Sequence, residues 1–351
     1  MTSGHGDAAD VRAGRARAQG LHRRSTGGPV EIVRHLLAVQ AQDSAAFPLA
    51  LRARTSGLTE SALTEAREAG SLVRCWGPRG TLHLVAAEDL AWFHPLVRPA
   101  PAGSLRRLRD LGVEVDADTA VRVTEAALAG RGPLTKPELG ERLARAGLPA
   151  EGQAIVHLAM LAAGRGRVVL GPERAGKATY VHAGDWLGAP PPVEAPDRER
   201  ALRTLVARYR AAHDPAEPRD LAAWSGLPPG EIRRAWSDTA AERDHGESDA
   251  EPIVRLLPGF DEYLLGWRTR DHAVPTVHRT RVHPGGGVIR SVLLVDGLAA
   301  GTWRIRRSPG RADLAVEPFE PLSDAVASGL AAEVAGVGAF LGRPARLTVA
   351  D

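Results

Sequence analysis

The run Glu60–Val85, ESALTEAREAGSLVRCWGPRGTLHLV, sets a helix and a hairpin back to back. A helix is expected over Glu60 to Ala69, introduced by Gly57-Leu58-Thr59 and closed by Gly70. Two short strand-like runs follow, Leu72 to Trp76 and Thr81 to Val85, joined by Gly77-Pro78-Arg79-Gly80. Upstream lie a basic helical stretch, Arg12 to Arg24, and a second helix, Pro29 to Gln42. Proline near its start, with Ile32, Val33, Leu36, Leu37 and Val39 on one side, supports that second helix. Three helices followed by a hairpin is the order of a winged helix, a variant of the helix-turn-helix.

The order recurs downstream. Helices are expected over Thr119 to Ala129, within Leu134 to Gly147, where Thr135 and Glu138 stand ready for a capping box, and over Gln153 to Ala163. Val168 to Leu170 and Thr179 to Val181 then supply a hairpin. Beyond the proline-rich joint Ala189 to Pro196 come helices over Arg198 to Ala212, Arg219 to Gly226 and Pro229 to Trp236. A polar, acidic linker runs from Ser237 to Glu251, after which strand-like alternation takes over. Strands are expected over Val277 to Val282, Val288 to Val295, Gly301 to Arg306 and Arg346 to Val349, with Asp296-Gly297 as a hairpin turn and a helix over Leu322 to Leu341. The resulting expectation is an α+β chain of three tandem winged-helix motifs followed by a C-terminal β-barrel. Its boundaries would be a disordered tail at 1–10, winged helices at 11–115, 116–190 and 191–250, and the barrel at 251–351.

Bulk composition narrows the function classes. A length of 351 residues suits two or three domains, and 44% hydrophobic with 25% charged residues is ordinary for a globular protein. No apolar stretch approaches the roughly 20 residues that span a bilayer. Met1 to Asp10 is small, polar and acidic, unlike a secretory signal, and the lone cysteine, Cys75, has no partner for an internal disulfide. A cytoplasmic monomer is expected. The net charge of +3 is compatible with nucleic acid without demanding it.

Several motifs have plainer readings. Gly171-Pro-Glu-Arg-Ala-Gly176-Lys177-Ala178 approaches a phosphate-binding loop, yet Ala178 replaces the magnesium-ligating hydroxyl and a strand follows where a helix should, so a wing turn is expected. The twelve histidines form no HExxH, no paired CxxC accompanies them, and neither metal nor other cofactor is expected. No Gly-x-Ser-x-Gly elbow is present. Asp43 is expected to end a helix or pair with an arginine, and Asp261-Glu262 to form a structural junction. Gln40 and Gln42 lack a useful pKa, but each amide offers two donors and an acceptor, enough to hold a water or a base edge.

Val39-Gln-Ala-Gln-Asp43 and Leu72-Val-Arg-Cys-Trp-Gly-Pro-Arg-Gly-Thr-Leu-His-Leu-Val85 resemble the AlkZ/YcaQ superfamily of winged-helix DNA glycosylases. So do Leu257-Pro-Gly-Phe-Asp-Glu-Tyr-Leu-Leu-Gly266 and Val295-Asp-Gly-Leu-Ala-Ala-Gly-Thr-Trp-Arg304, in the same order along the chain. Gln40-Ala41-Gln42 is similar to the glutamine–aliphatic–glutamine signature of the AlkZ branch, with a middle residue smaller than usual. The resemblance implies a monofunctional glycosylase acting on N7-alkylguanine, in adducts or interstrand crosslinks of double-stranded DNA, as self-resistance to a genotoxin. It implies catalytic roles for Gln40 and Gln42. Arg15, Arg17, Arg79, His83, Arg304 and Arg306 are the expected DNA contacts, to phosphate rather than to base edges. The alternative is a non-enzymatic winged-helix regulator.

Overall fold

The computed structural model describes residues 8–148, 150–237 and 252–350. These group into two compact units that interleave along the chain. One takes the described residues up to Leu63, then Val206–Trp224 and those from Ile232 onward; the other takes Thr64–Leu205 and Ser225–Glu231.

The first unit is built on five strands in the hydrogen-bonded order Ala345–Val349, Arg311–Pro318, Leu298–Ser308, Val292–Val295, Val254–Leu257. Neighbours are antiparallel except Ala345–Val349, which runs parallel to Arg311–Pro318. A parallel neighbour needs a crossover, and the helix Asp324–Leu341 provides it, capped by the Ser323 hydroxyl and ended by Gly342 in the left-handed region. Contrary to the expectation that no stretch is apolar enough to span a bilayer, this helix is so by length and composition, but Leu330, Val334, Val337, Phe340 and Leu341 are buried where it packs on both outermost strands. Those outermost strands do not pair with each other among the described residues, so the sheet is open and the expected closed barrel is not found.

Its core is not confined to the C-terminal hundred residues. Ala16, Leu21 and Ala53 share a cluster with Leu257, Tyr263, Trp267, Val292 and Ala299. A chain end that was expected to stand alone is thus sealed by the first helix, Ala8–Ala18, whose first turn also takes in Ala8 to Asp10 from the expected tail. Residues 1–7 and the acidic linker at 238–251 lie outside the described residues.

The second unit contains an antiparallel sheet ordered Leu82–Ala86, Leu72–Trp76, Val168–Arg174, Lys177–His182, Leu134–Thr135. Helices Ala117–Leu128, Lys136–Arg145 and Gln153–Gly164 pack beside it through Ala120, Leu128, Leu139, Leu143, Leu158 and Ala162. Thr135 and Glu138 form the expected capping box. Arg174 and Lys177 flank a tight turn at Ala175-Gly176, both with positive φ, so the phosphate-loop look-alike is a hairpin turn.

Two expected elements change type. Val277 to Val282 is a 3-10 turn at Thr276–His278 followed by a short helix, Arg279–Val282. Val282 is fully buried while Val277 is 80% exposed, so the apolar alternation there has no sheet to lie on. The second helix is Pro29–Leu36 and does not reach the glutamines. Leu37 adopts φ 74°, which stops the helix and turns the chain.

Candidate active site and nucleic-acid interface

Past Leu37 the chain is extended through Val39–Gln40, and burial alternates: Val39 and Ala41 are inside, Gln40 is half-buried and Gln42 exposed. The extended stretch ends at Gln40 and the chain bends at Gln42, so the glutamines sit on a bent ledge, the first half-buried and the second exposed, where a helix end had been expected. A leucine at positive φ is a steric outlier, and it lies three residues before the first glutamine.

The ledge is held from within by Glu262. Its carboxylate accepts from the Gln40 backbone N–H at 2.7 Å and from the Trp224 indole N–H at 3.1 Å, with the residue only 1% exposed. Neighbouring Asp261 caps the short helix Glu262–Leu265 through the Tyr263 N–H. Its two oxygens also accept both prongs of the Arg54 guanidinium, at 2.7 and 2.8 Å. Arg54 in turn donates to Gln19 Oε1, and Gln19 donates to the Ala212 carbonyl. The Asp-Glu junction thus fastens the glutamine ledge to two distant stretches of chain. Sequence reasoning found the junction and missed that one of its carboxylates grips Gln40; an acidic residue inside an otherwise apolar run was the available signal.

Asp43 is exposed, and its carboxylate accepts from the Ala45 N–H at 2.8 Å. It turns the chain into the helix Phe47–Arg54 without pairing to an arginine in that bond. From the strand Leu298–Ser308, Arg307 donates to Glu60 at 2.8 Å and to the Ala45 carbonyl at 3.3 Å. Arg307 was not among the expected residues.

The six expected DNA contacts separate sharply. Arg304 and Arg306 are 77% and 76% exposed, each beside a cross-strand carboxylate, Glu317 at 2.6 Å and Asp313 at 3.6 Å. Arg79 is exposed at the tip of its hairpin. Arg17 is half-buried. Arg15 is turned inward: it donates to the Pro215 carbonyl at 3.0 Å, lies 3.9 Å from Asp220, and stacks 4.7 Å above the Trp267 ring. Its pKa is lowered by burial, against the pull of Asp220.

His83 is a correction. The ring is 1% exposed and donates from Nδ1 to the Thr81 carbonyl at 3.0 Å. Burial lowers its pKa to about 4, so it is a neutral core residue out of reach of a phosphate. The strands of this hairpin are buried on both sides, so alternation there does not produce a wet face. Cys75, in the same hairpin, is pushed up to about 12 by burial and stays a protonated, inert thiol.

Two amide side chains and exposed arginines on one α+β unit are features that a nucleic-acid enzyme can use. The chain belongs to the family of AlkZ-like DNA glycosylases, whose model matches residues 33–340. Members are hydrolases of N-glycosyl bonds, and this membership does not favour a regulator without activity. An interstrand DNA cross-link repair glycosylase of Streptomyces sahachiroi is 27% identical over 354 residues, spanning 88% of this chain and 90% of the relative. The solved structure of Streptomyces sahachiroi DNA glycosylase AlkZ is similar in fold, with a TM-score of 0.77 at 23% identity, covering 97% of this chain and 99% of that one.

Proposed function

We propose that this chain hydrolyses the N-glycosidic bond of N7-alkylguanine in double-stranded DNA, unhooks interstrand crosslinks, and protects its host against a genotoxic natural product. The observation that carries the reading is the ledge of half-buried Gln40 and exposed Gln42, held by the bond from the Gln40 backbone N–H to buried Glu262. A guanine alkylated at N7 is cationic. Breaking its bond to C1′ returns the electron pair to N9 and releases a neutral base, so no general acid is needed. What remains is to place a water against an oxocarbenium-like sugar and to shape the field around it. One amide oxygen orients that water, which adds to C1′ and gives up its proton to solvent; the other amide bonds the sugar, a phosphate or the lesion.

A crosslinked guanine is tethered to both strands and cannot be flipped deep into a pocket as ordinary glycosylases require. A ledge suits it. The three tandem winged helices are part of the same reading. The order of helices Ala117–Leu128, Lys136–Arg145 and Gln153–Gly164 and the hairpin after them supports the middle one. Arg79, Arg304 and Arg306 are the proposed phosphate contacts, with Arg17 at the margin, and the protein acts as a cytoplasmic monomer.

The test is incubation with a duplex carrying N7-methylguanine, followed by alkali and detection of strand breaks at the abasic site. Cleavage is expected with the wild type, and a loss of at least about 100-fold with Gln40→Ala plus Gln42→Ala, the scale of losing a positioned polar group. Undiminished cleavage in the double variant rejects the roles of the glutamines. No cleavage by the wild type rejects the activity.

A further inference from the structure

A groove of about 600 Å³ opens entirely within the first unit; its lining begins at Asp43, the residue after Gln42, and includes neither glutamine. Asp43 and Ala45, just past Gln42, form one wall; Phe260 and the strand through Arg304 and Ile305 form the other. Leu49 and Ile289 lie buried on its floor, and exposed Arg290 and Arg304 stand at its edge. A methyl group needs a small fraction of this space, and the volume falls in the range that holds a whole organic ligand.

Phe260 has φ 60°. For a bulky residue that is a genuine steric outlier, and strain of this kind persists only where the surroundings impose it. They do so here. A Cβ on Gly259 would sit 2.7 Å from the Ile289 carbonyl, so the Gly259 backbone is pressed against the segment that leads into the strand Val292–Val295. Asp261, on the other side, is locked to Arg54. Glycine would fill position 260 without steric cost; phenylalanine puts a partly buried side chain against the core cluster and in the lining of the groove.

We infer that this groove receives the non-base arm of a bulky N7-guanine adduct, an apolar and ring-bearing substituent, and that Phe260 is the residue that selects for it. The inference rests on the proposed N7-alkylguanine reading and names the substrate class within it. The arm leaves the guanine at N7, beside the glutamine ledge, and lies between the Phe260 ring and the apolar floor. Arg290 and Arg304 hold the flanking phosphates of the same duplex. The occupant is the arm and not the guanine, because the base must meet the glutamines and neither of them lines the groove. Beside Leu49 and Ile289 the lining holds Ser291, Thr302 and Glu317, so the apolar part of the arm lies toward Phe260.

Two duplexes test this, alike except that one guanine N7 carries methyl or phenylpropyl. With 2′-fluoro sugar at the lesion, cleavage is blocked and affinity alone is read. The wild type is expected to bind the phenylpropyl duplex about tenfold tighter, the scale of seating apolar groups in a fitted pocket. Phe260→Gly, which relieves the backbone, and Ala45→Trp, which fills the groove from an exposed position, are each expected to bring the preference within about twofold. Equal affinity in the wild type, or a preference kept in both variants, overturns the proposal. So does a matched loss on both duplexes, which would put the guanine itself in the groove. Should Phe260→Gly fail to fold, Ala45→Trp decides. Excision from the same sequences with natural sugar is scored separately. Selective affinity without excision leaves the groove assigned and rejects the glycosylase reading, whereas excision without selective affinity does the reverse.

Discussion

Arg15 on the first helix and the Arg304/Arg306 pair on a strand of the C-terminal sheet look alike as text: basic residues on regular elements of a mildly basic chain. In the folded unit they have opposite fates. Arg15 lies over Trp267 with its Nε bonded to a carbonyl, only 13% of its side chain exposed. Arg304 and Arg306 stand in solvent, each beside a half-buried carboxylate. The difference lies in what covers each element. The first helix is sandwiched into a core that includes Ala16 and Leu21, whereas the outer side of the strand has nothing packed on it at 304 and 306. A cation in the first setting holds the protein together; one in the second is available to a phosphate.

The largest effect that would sharpen this contrast comes from the deepest pair. Arg54 and Asp261 are about 1% exposed and make two parallel bonds. Removing one partner from such a pair leaves an uncompensated buried charge and typically costs about 3–5 kcal/mol. Asp261→Asn is therefore expected to lower unfolding stability by that amount in urea titration. Glu262 follows it directly in the chain, so excision should fall in the variant as well, with the glutamines untouched. A loss under about 1 kcal/mol, far short of that scale, would show the inner network to be dispensable.

Acid should attack the same inner region next. His213 is fully buried, stacked 4.2 Å from Tyr209, and His272 lies 4.6 Å from the Trp267 ring. Burial first, then nearby cations including Arg15, lowers each to about 3. A depressed histidine is neutral in the folded protein and protonates in the unfolded chain at its ordinary value of about 6.5. Its contribution is intact above that value and declines as pH falls. By pH 5 each ring should have lost about 2 kcal/mol, in a range where most carboxylates are still ionised. Denaturation midpoints from pH 7.5 to 5 check this; His213→Phe or His272→Phe, if it folds, should flatten the slope.

Much of the fold was legible in the residues, and the failures share a cause. Helix starts were marked by proline and by the capping box at Thr135 and Glu138, both local chemistry, whereas the serine cap at Ser323 was read as part of its helix. The type of the glutamine segment was not, because its helix ends at a leucine with positive φ, which nothing in the residue type announces. The barrel was misjudged because alternation marks strands but not their partners, and the outermost strands, Ala345–Val349 and Val254–Leu257, do not pair with each other. His83 was misplaced because period-two alternation marks a wet face only where one side of the sheet is bare. The glutamines themselves could be found by their pairing, but the Glu262 brace joins residues 222 apart in sequence. Such long-range bonds follow from the fold alone.

A middle-sized effect tests the inward half of the comparison directly. Arg15→Ala removes a charged hydrogen bond to Pro215 and the stacking on Trp267. Together these amount to about 2 kcal/mol. DNA binding measured as log affinity against log salt should keep its slope in this variant, since the substituted cation faces the core and not the duplex. A slope reduced by about one unit would return Arg15 to the DNA-binding set.

The smallest change in stability, and the clearest in binding, belongs to the outward half. Arg304→Ala plus Arg306→Ala breaks only exposed ion pairs, so unfolding stability should move by less than about 1 kcal/mol. Each phosphate-binding cation removed should reduce the salt slope by about one unit, giving about two for the pair, with affinity for undamaged duplex falling alongside. Glu317 and Asp313 add a second reading, because each competes with phosphate for its arginine. Glu317→Gln plus Asp313→Asn should therefore strengthen DNA binding while the arginines remain, and should do nothing once both arginines are gone. Strengthening that persists without them would trace to bulk charge alone and would remove Arg304 and Arg306 from the interface.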